Sequence, residues 1–157
     1  MKYQELVDVY SALENTTKRL EKTQIISNFL LKLDSTTLEQ VGLLILGSIF
    51  PAWSDKEIGI GNKLVMQAVG EAVGVTPDKV EDAVRDQGDI GLACISLYAK
   101  KSQTTFFSQP LTIDFVFKSL RKLSEKSGAR STKRKIDIIL EMLSQASASE
   151  AKYLTRT

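Results

Sequence analysis

Apolar residues recur along most of the chain at the spacing of an amphipathic α-helix. Leu6, Val9, Tyr10 and Leu13 follow one another at intervals that place them on one helical face. The same spacing recurs at Ile26, Phe29, Leu30 and Leu33 and, near the end of the chain, at Ile136, Ile139, Leu140 and Leu143. No segment alternates like a strand bounded by hairpin turns. The sequence therefore predicts an all-α fold.

Turn and capping residues divide this pattern into about nine helices. Asp34 precedes a run of hydroxyl residues, Thr76 precedes Pro77, and Gly88–Gly91 contains a helix break followed by a cap. The predicted helices cover residues 2–13, 18–33, 36–49, 61–74, 77–86, 90–99, 111–126, 132–145 and 148–157. A polar loop, Lys100–Pro110, separates two helical halves. We expect one compact multi-helix domain over residues 1–157.

The amino-acid composition excludes several classes of function. The chain has 157 residues, 43% hydrophobic and 25% charged, without an apolar run long enough for a membrane span or a signal peptide at its start. We therefore expect a cytoplasmic protein with no membrane partner. It has no histidine and one cysteine, Cys94, which removes the usual triads and most zinc sites. We predict no catalytic residue and no metal ligand, and we interpret Cys94 as a core residue.

Positive charge is concentrated late in the chain. The formal net charge is only +2, yet the window from Lys118 to Lys135 holds eight basic residues and a single acidic one, Glu125. The basic residues are Lys118, Arg121, Lys122, Lys126, Arg130, Lys133, Arg134 and Lys135. Such a window indicates either a local polyanion partner or an ordinary solvated helix face.

One detail favours the polyanion. Ser131 is a good N-cap, which would place Thr132 and the cations Lys133, Arg134 and Lys135 in the first helical turn. Cations there oppose the helix dipole, whereas a bound phosphate would reverse that penalty and accept hydrogen bonds from the free backbone N–H groups. The alternative is an ordinary basic helix.

Two other predicted helix starts carry similar residues. Arg19 follows two threonines and a lysine, and Gly61 and Asn62 follow Gly59. Each start could bind phosphate, but the first could be simple capping and the second a tight turn between helices. Contacts of this kind position a protein on duplex DNA without reading its sequence.

Several of these segments together resemble the N-terminal DNA-binding domain of ATP-dependent DNA ligases of archaea and eukaryotes, and the archaeal type in particular. The resemblance covers essentially the whole chain. The segments are Thr17–Glu21, Gly59–Gly61, Gly88–Leu92, Ser131–Ile139 and Glu150–Arg156.

The resemblance implies a domain that binds duplex DNA on both sides of a nick and acts in replication, repair and recombination. It implies phosphate contacts at Arg19, Thr132, Arg134 and Lys135, assisted by Ser131 and Lys133, with Gly61 and Asn62 as weaker candidates.

The family's ATP- and magnesium-dependent chemistry belongs to separate catalytic domains, nucleotidyltransferase and OB-fold, so we expect no cofactor in this chain. Lys135–Ile138 imitates the family's adenylation motif without its glycine and inside a helix, so we reject Lys135 as the nucleophile. A standalone enzyme is the least favoured hypothesis.

A second motif lies in the polar loop. Gln103, Phe106 and Phe107 are similar to the peptide with which archaeal replication proteins dock on the sliding clamp. Exposed paired phenylalanines are unfavourable unless a partner covers them. The alternatives are that both rings anchor the loop to the core, or that the whole domain is a helical protein-interaction module for the clamp.

Overall fold

The computed structural model describes residues 1–100, 109–125 and 131–157. In these ranges the chain forms nine α-helices and no strand, apart from one isolated bridge between Lys2 and Thr112. The helices are α1 Tyr3–Glu14, α2 Arg19–Leu30, α3 Ser35–Ile45, α4 Asn62–Val73, α5 Pro77–Gln87, α6 Ile90–Ala99, α7 Ile113–Ser124, α8 Ser131–Gln145 and α9 Ala148–Leu154. The all-α prediction is confirmed.

The capping residues act where the sequence predicts. The Asp34 carboxylate accepts hydrogen bonds from the backbone N–H groups of Thr36 and Thr37 and begins α3. Gly88, with φ of 70°, ends α5, and the Asp89 carboxylate accepts from the N–H of Leu92 at 2.8 Å to begin α6. Two adjacent residues thus end one helix and begin the next.

Several predicted boundaries are wrong: α2 ends at Leu30 instead of residue 33, and α9 at Leu154 instead of residue 157. Two other errors have clear local reasons. α3 ends at Ile45 instead of residue 49, because Gly47 takes the left-handed conformation at φ 69°. α7 begins at Ile113 instead of residue 111, because the carbonyl of Leu111 accepts a hydrogen bond from the N–H of Tyr3 at 2.8 Å. Leu111 therefore belongs to the bridge with the N-terminus, and Thr112 caps the helix.

The two helical halves of the sequence pack into one another. α3 packs against α7, α4 against α8, and α6 against α9, so each principal contact of the second half is with a helix of the first. The largest fully buried side chains come from both halves: Tyr3, Leu6, Ile49, Leu111, Ile113, Leu123, Leu143, Val7, Val41, Val69, Val80 and Val116. The core is therefore shared by the halves.

Cys94 lies in this core with no exposed surface, as predicted. Burial raises the pKa of its thiol to about 11, so the thiol stays protonated at neutral pH and lacks the nucleophilic thiolate. In the described ranges, none of the helices combines the length and the apolarity needed to cross a membrane.

Candidate nucleic-acid interface

The first turn of α8 exposes its cations to solvent. Thr132, Lys133 and Arg134 are exposed and Ser131 is half-buried. Ser131 already belongs to the helix, so α8 starts earlier than a Ser131 N-cap would place it. In the part of the chain that the structure describes, no acidic side chain forms an ion pair with Lys133 or Arg134. Both charges are available to an external anion.

Lys135, one turn into α8, has a different environment. Its side chain is half-buried, and its Nζ donates a hydrogen bond to the backbone carbonyl of Gly59 at 2.8 Å. This contact joins the start of α8 to the segment that leads into α4. The adjacent residues Ile136 and Asp137 continue the helix, so the segment that imitates the adenylation motif lies inside a helix, as predicted.

The start of α4 has no side-chain cap. Gly61 is the N-cap in an extended conformation, and Asn62 is the first helical residue. Both are exposed, and a Cβ built on Gly61 would meet no atom within 4 Å. The first N–H groups of α4 are therefore accessible to solvent. We call the two helix starts, Gly61–Asn62 and Ser131–Lys135, which the hydrogen bond from Lys135 to Gly59 connects, the α4–α8 junction.

Acidic side chains limit this surface on one side. The groove between α4 and α8 is lined by Glu71 and Asp137 as well as by Thr132 and Lys133. Two carboxylates would repel a polyanion, so the favourable surface is confined to the helix starts.

Arg19 is not brought to the junction by helix packing. It is the exposed first residue of α2, and α2 packs chiefly against α1. The neighbouring Lys18 is paired with Glu21 at 2.7 Å, while Arg19 has no ion pair among the described residues. Arg19 would thus be a separate contact on the first half of the chain.

The basic window Lys118–Lys135 is not one continuous patch. Lys118 pairs with Asp114 at 2.8 Å. Arg121 donates through Nε to the carbonyl of Ile49 at 3.1 Å, and its guanidinium lies 4.5 Å from the ring centre of Phe117. Arg121 is therefore engaged with other parts of the fold, whereas Lys118 is exposed but paired with a carboxylate. Lys126 and Arg130 lie outside the described residues.

The spacing of Asp114 and Lys118, four positions apart on one helix, could have revealed the first pairing. Nothing in the sequence signals the contacts of Arg121 with Ile49 or of Lys135 with Gly59. The clamp-docking residues Gln103, Phe106 and Phe107 lie outside the described residues, so that motif stays a prediction.

Comparison with known proteins gives one family. A family model described as DNA ligase N terminus matches residues 2–157. The chain is 52% identical over 155 residues to a DNA ligase of Methanothermobacter thermautotrophicus, covering 99% of this chain and 28% of that protein. It is 43% identical over 157 residues to a DNA ligase of Thermococcus onnurineus, with 100% and 28% covered. A DNA ligase of Methanocaldococcus jannaschii is 33% identical over 160 residues, with 99% and 28% covered.

Proposed function

Because this chain belongs to the family of DNA ligase N-terminal domains, we propose that it binds duplex DNA without reading its sequence and positions nicked DNA for sealing in replication and repair. The archaeal DNA ligases to which it is similar are longer, and the chain spans 28% of their length. The proposed partners are therefore duplex or nicked DNA and the catalytic domains of a parent ligase.

The observation that carries this proposal is the α4–α8 junction. Lys133 and Arg134 lie in the first turn of α8 without an ion pair among the described residues. Each cation there opposes the helix dipole at a cost of about 0.3–1 kcal/mol. A phosphate bound at the start of α8 would reverse that cost and accept hydrogen bonds from the Ser131 and Thr132 hydroxyls, and the open N–H groups of α4 could bind a second phosphate. Two such helix starts fit a sugar–phosphate backbone.

The proposed contacts at the junction are Ser131, Thr132, Lys133 and Arg134 on α8 and Gly61 and Asn62 on α4. Lys135 borders them, with its ammonium donating to the carbonyl of Gly59. Arg19 is proposed as a contact at a distance from them along the duplex. None of these contacts reads a base edge, so affinity should be similar for duplexes of different sequence.

The test is binding of the chain to a fluorescent nicked duplex at increasing salt. Because phosphate contacts release counterions, the logarithm of affinity should fall steeply and linearly with the logarithm of salt concentration. Arg134→Ala should weaken binding and reduce that slope by about 0.9, the value for one phosphate contact.

The matched control is Lys79→Ala, which removes an exposed cation from α5 and should leave affinity and slope unchanged. Affinity that stays constant between roughly 50 and 300 mM salt would contradict the proposal. Equal losses in both variants would show that net charge matters and the junction does not.

We propose further that the parent protein seals nicks with ATP and magnesium bound in domains outside this chain. On that proposal the chain alone forms no covalent adduct when incubated with ATP. Incorporation of labelled AMP into the chain would contradict it.

A further inference from the structure

We infer that Lys135 is a positioning residue for DNA binding, which holds Gly59–Asn62 in place through the Gly59 carbonyl rather than serving as one more phosphate contact. The inference rests on the proposed function, because it assigns the role of one residue at the same surface. It also separates Lys135 from its neighbours Lys133 and Arg134.

The geometry of the contact distinguishes Lys135 from the other cations of the turn. Its ammonium lies 2.8 Å from the carbonyl oxygen of Gly59, a residue 76 positions earlier in the chain. A Cβ built on Gly59 would lie 3.4 Å from Lys135 Nζ, so the ammonium lies directly against the glycine backbone. Lys135 is half-buried, whereas Lys133 and Arg134 are exposed.

The segment that Lys135 holds has little regular structure of its own. From Pro51 to Gly61 the chain forms neither helix nor strand, and most of its residues are exposed. Its internal hydrogen bonds are short-range, from the N–H of Ser54 to the carbonyl of Pro51 and from the N–H of Lys56 to the Ser54 hydroxyl.

Both ends of this segment are held by basic residues of the second half of the chain. At the first end, Arg121 donates to the carbonyl of Ile49, and its guanidinium lies 5.7 Å from the ring centre of Phe50. At the second end, Lys135 donates to Gly59. Ile58 and Ile60 pack against the core there, but apolar packing does not fix the direction of a carbonyl or an N–H group.

Gly59 has a φ of 63° and is followed, two residues later, by Gly61, the N-cap of α4. Glycine has the largest conformational freedom to lose, so two glycines make this a segment whose ordering is costly. With the Lys135 contact in place, that ordering precedes DNA binding. Without it, the N–H groups at the start of α4 would have to be ordered during binding, which lowers affinity.

The experiment compares Lys135→Met with Lys133→Met in the whole chain. Both variants remove one positive charge from the same helical turn, but only the first removes the contact with Gly59. Three quantities are measured: amide hydrogen exchange at Gly59–Asn62 without DNA, affinity for a nicked duplex across a range of salt, and the thermal unfolding midpoint.

We expect Lys135→Met to accelerate exchange at these amides several-fold and to weaken DNA binding by a similar factor at every salt concentration, with the salt slope unchanged. Lys133→Met should leave exchange unaltered and reduce the slope by about 0.9. Both midpoints should stay close to that of the unaltered chain, since neither side chain is part of the core.

Unchanged exchange in Lys135→Met, together with the same loss of slope as in Lys133→Met, would overturn the inference and make Lys135 an ordinary phosphate contact. Faster exchange with unaltered DNA affinity would also overturn it, because order at Gly59–Asn62 would not matter for binding. If the proposed function itself is wrong, the result differs from both of these outcomes. The unaltered chain would then bind DNA without salt dependence, whatever the exchange rates show.

Discussion

At the residue scale, Gly91 on α6 lies directly against the backbone of α9. A Cβ built there would lie 2.7 Å from Nε of Arg156 and 2.8 Å from the backbone carbonyl oxygen of Lys152. The arginine side chain could move aside, but the α9 backbone could not do so without shifting the helix. Gly91 is therefore needed for space, since it lies within α6 and its φ is not positive.

Replacing Gly91 by Ala should destabilise the chain by about 1–3 kcal/mol, the usual cost of overpacking. Gly42→Ala is the matched control, because Gly42 also lies within a helix, α3, and a Cβ there meets nothing within 4 Å. That change should stabilise the chain by about 0.5–1 kcal/mol, since alanine is the better helix former. Urea unfolding measures both. Equal effects of the two substitutions would show that α6 and α9 are not in close contact at Gly91.

The sequence predicted the positions of the cations but could not predict which of them are engaged. Lys133 and Arg134, at the start of α8, form no ion pair within the described ranges. Arg121 instead contacts Ile49, 72 positions away, and Lys135 contacts Gly59. Charge patterning is a local property, whereas these contacts depend on how distant segments pack.

At the element scale, α9 is attached to the first half of the chain by charged groups. The Arg156 guanidinium pairs with Asp89 at 2.7 Å and with Glu14, which also pairs with Lys152. Hydrogen bonds from Arg156 lower the pKa of Asp89. Burial alone would raise the pKa of Glu14, but hydrogen bonds and charges of Lys152 and Arg156 lower it on balance.

These lowered pKa values predict a loss of stability in acid. Both carboxylates bind protons more weakly in the folded chain than in the unfolded chain, so their contribution is present above an ordinary carboxyl pKa of about 4 and is lost as pH falls through the lower folded value. Glu14→Gln should therefore lower the thermal midpoint at pH 7 and weaken its dependence on pH between about 5 and 2.

The control for this prediction is Glu39→Gln, which changes an exposed carboxylate on α3 that forms no ion pair among the described residues. Its midpoint should follow pH like that of the unaltered chain. Identical pH profiles for the two variants would show that the charged contacts of α9 contribute nothing measurable.

Helix starts were predictable because their signals are local: the capping carboxylates of Asp34 and Asp89, and Pro77 as the first residue of α5. Which helices pack against one another was less predictable, as α2 shows. Its apolar stripe predicts one buried face, yet Phe29 is its only buried residue, and Ile26 and Leu30 are half-buried. A stripe gives the face of a helix that can be buried, whereas the neighbouring helices decide how much of it is covered.

At the scale of the whole molecule, the two halves cannot be separated without exposing their cores. α3, α4 and α6 find their covering helices in α7, α8 and α9. The domain should therefore unfold as a unit.

A chain that ends at Lys100 should show no cooperative thermal transition by circular dichroism, because the buried faces of α3, α4 and α6 would lose their partners. The intact chain, measured alongside, should unfold in one sharp transition. A cooperative transition in the shortened chain would show that the first half folds independently.

Trp53, the sole tryptophan of the chain, is 86% exposed on the segment between α3 and α4. The surroundings of an indole that is already exposed to water change little when the chain unfolds, so the tryptophan emission should also change little on unfolding. The same property makes it a natural optical probe for whatever approaches that segment, with no label attached and no competing signal from elsewhere in the domain.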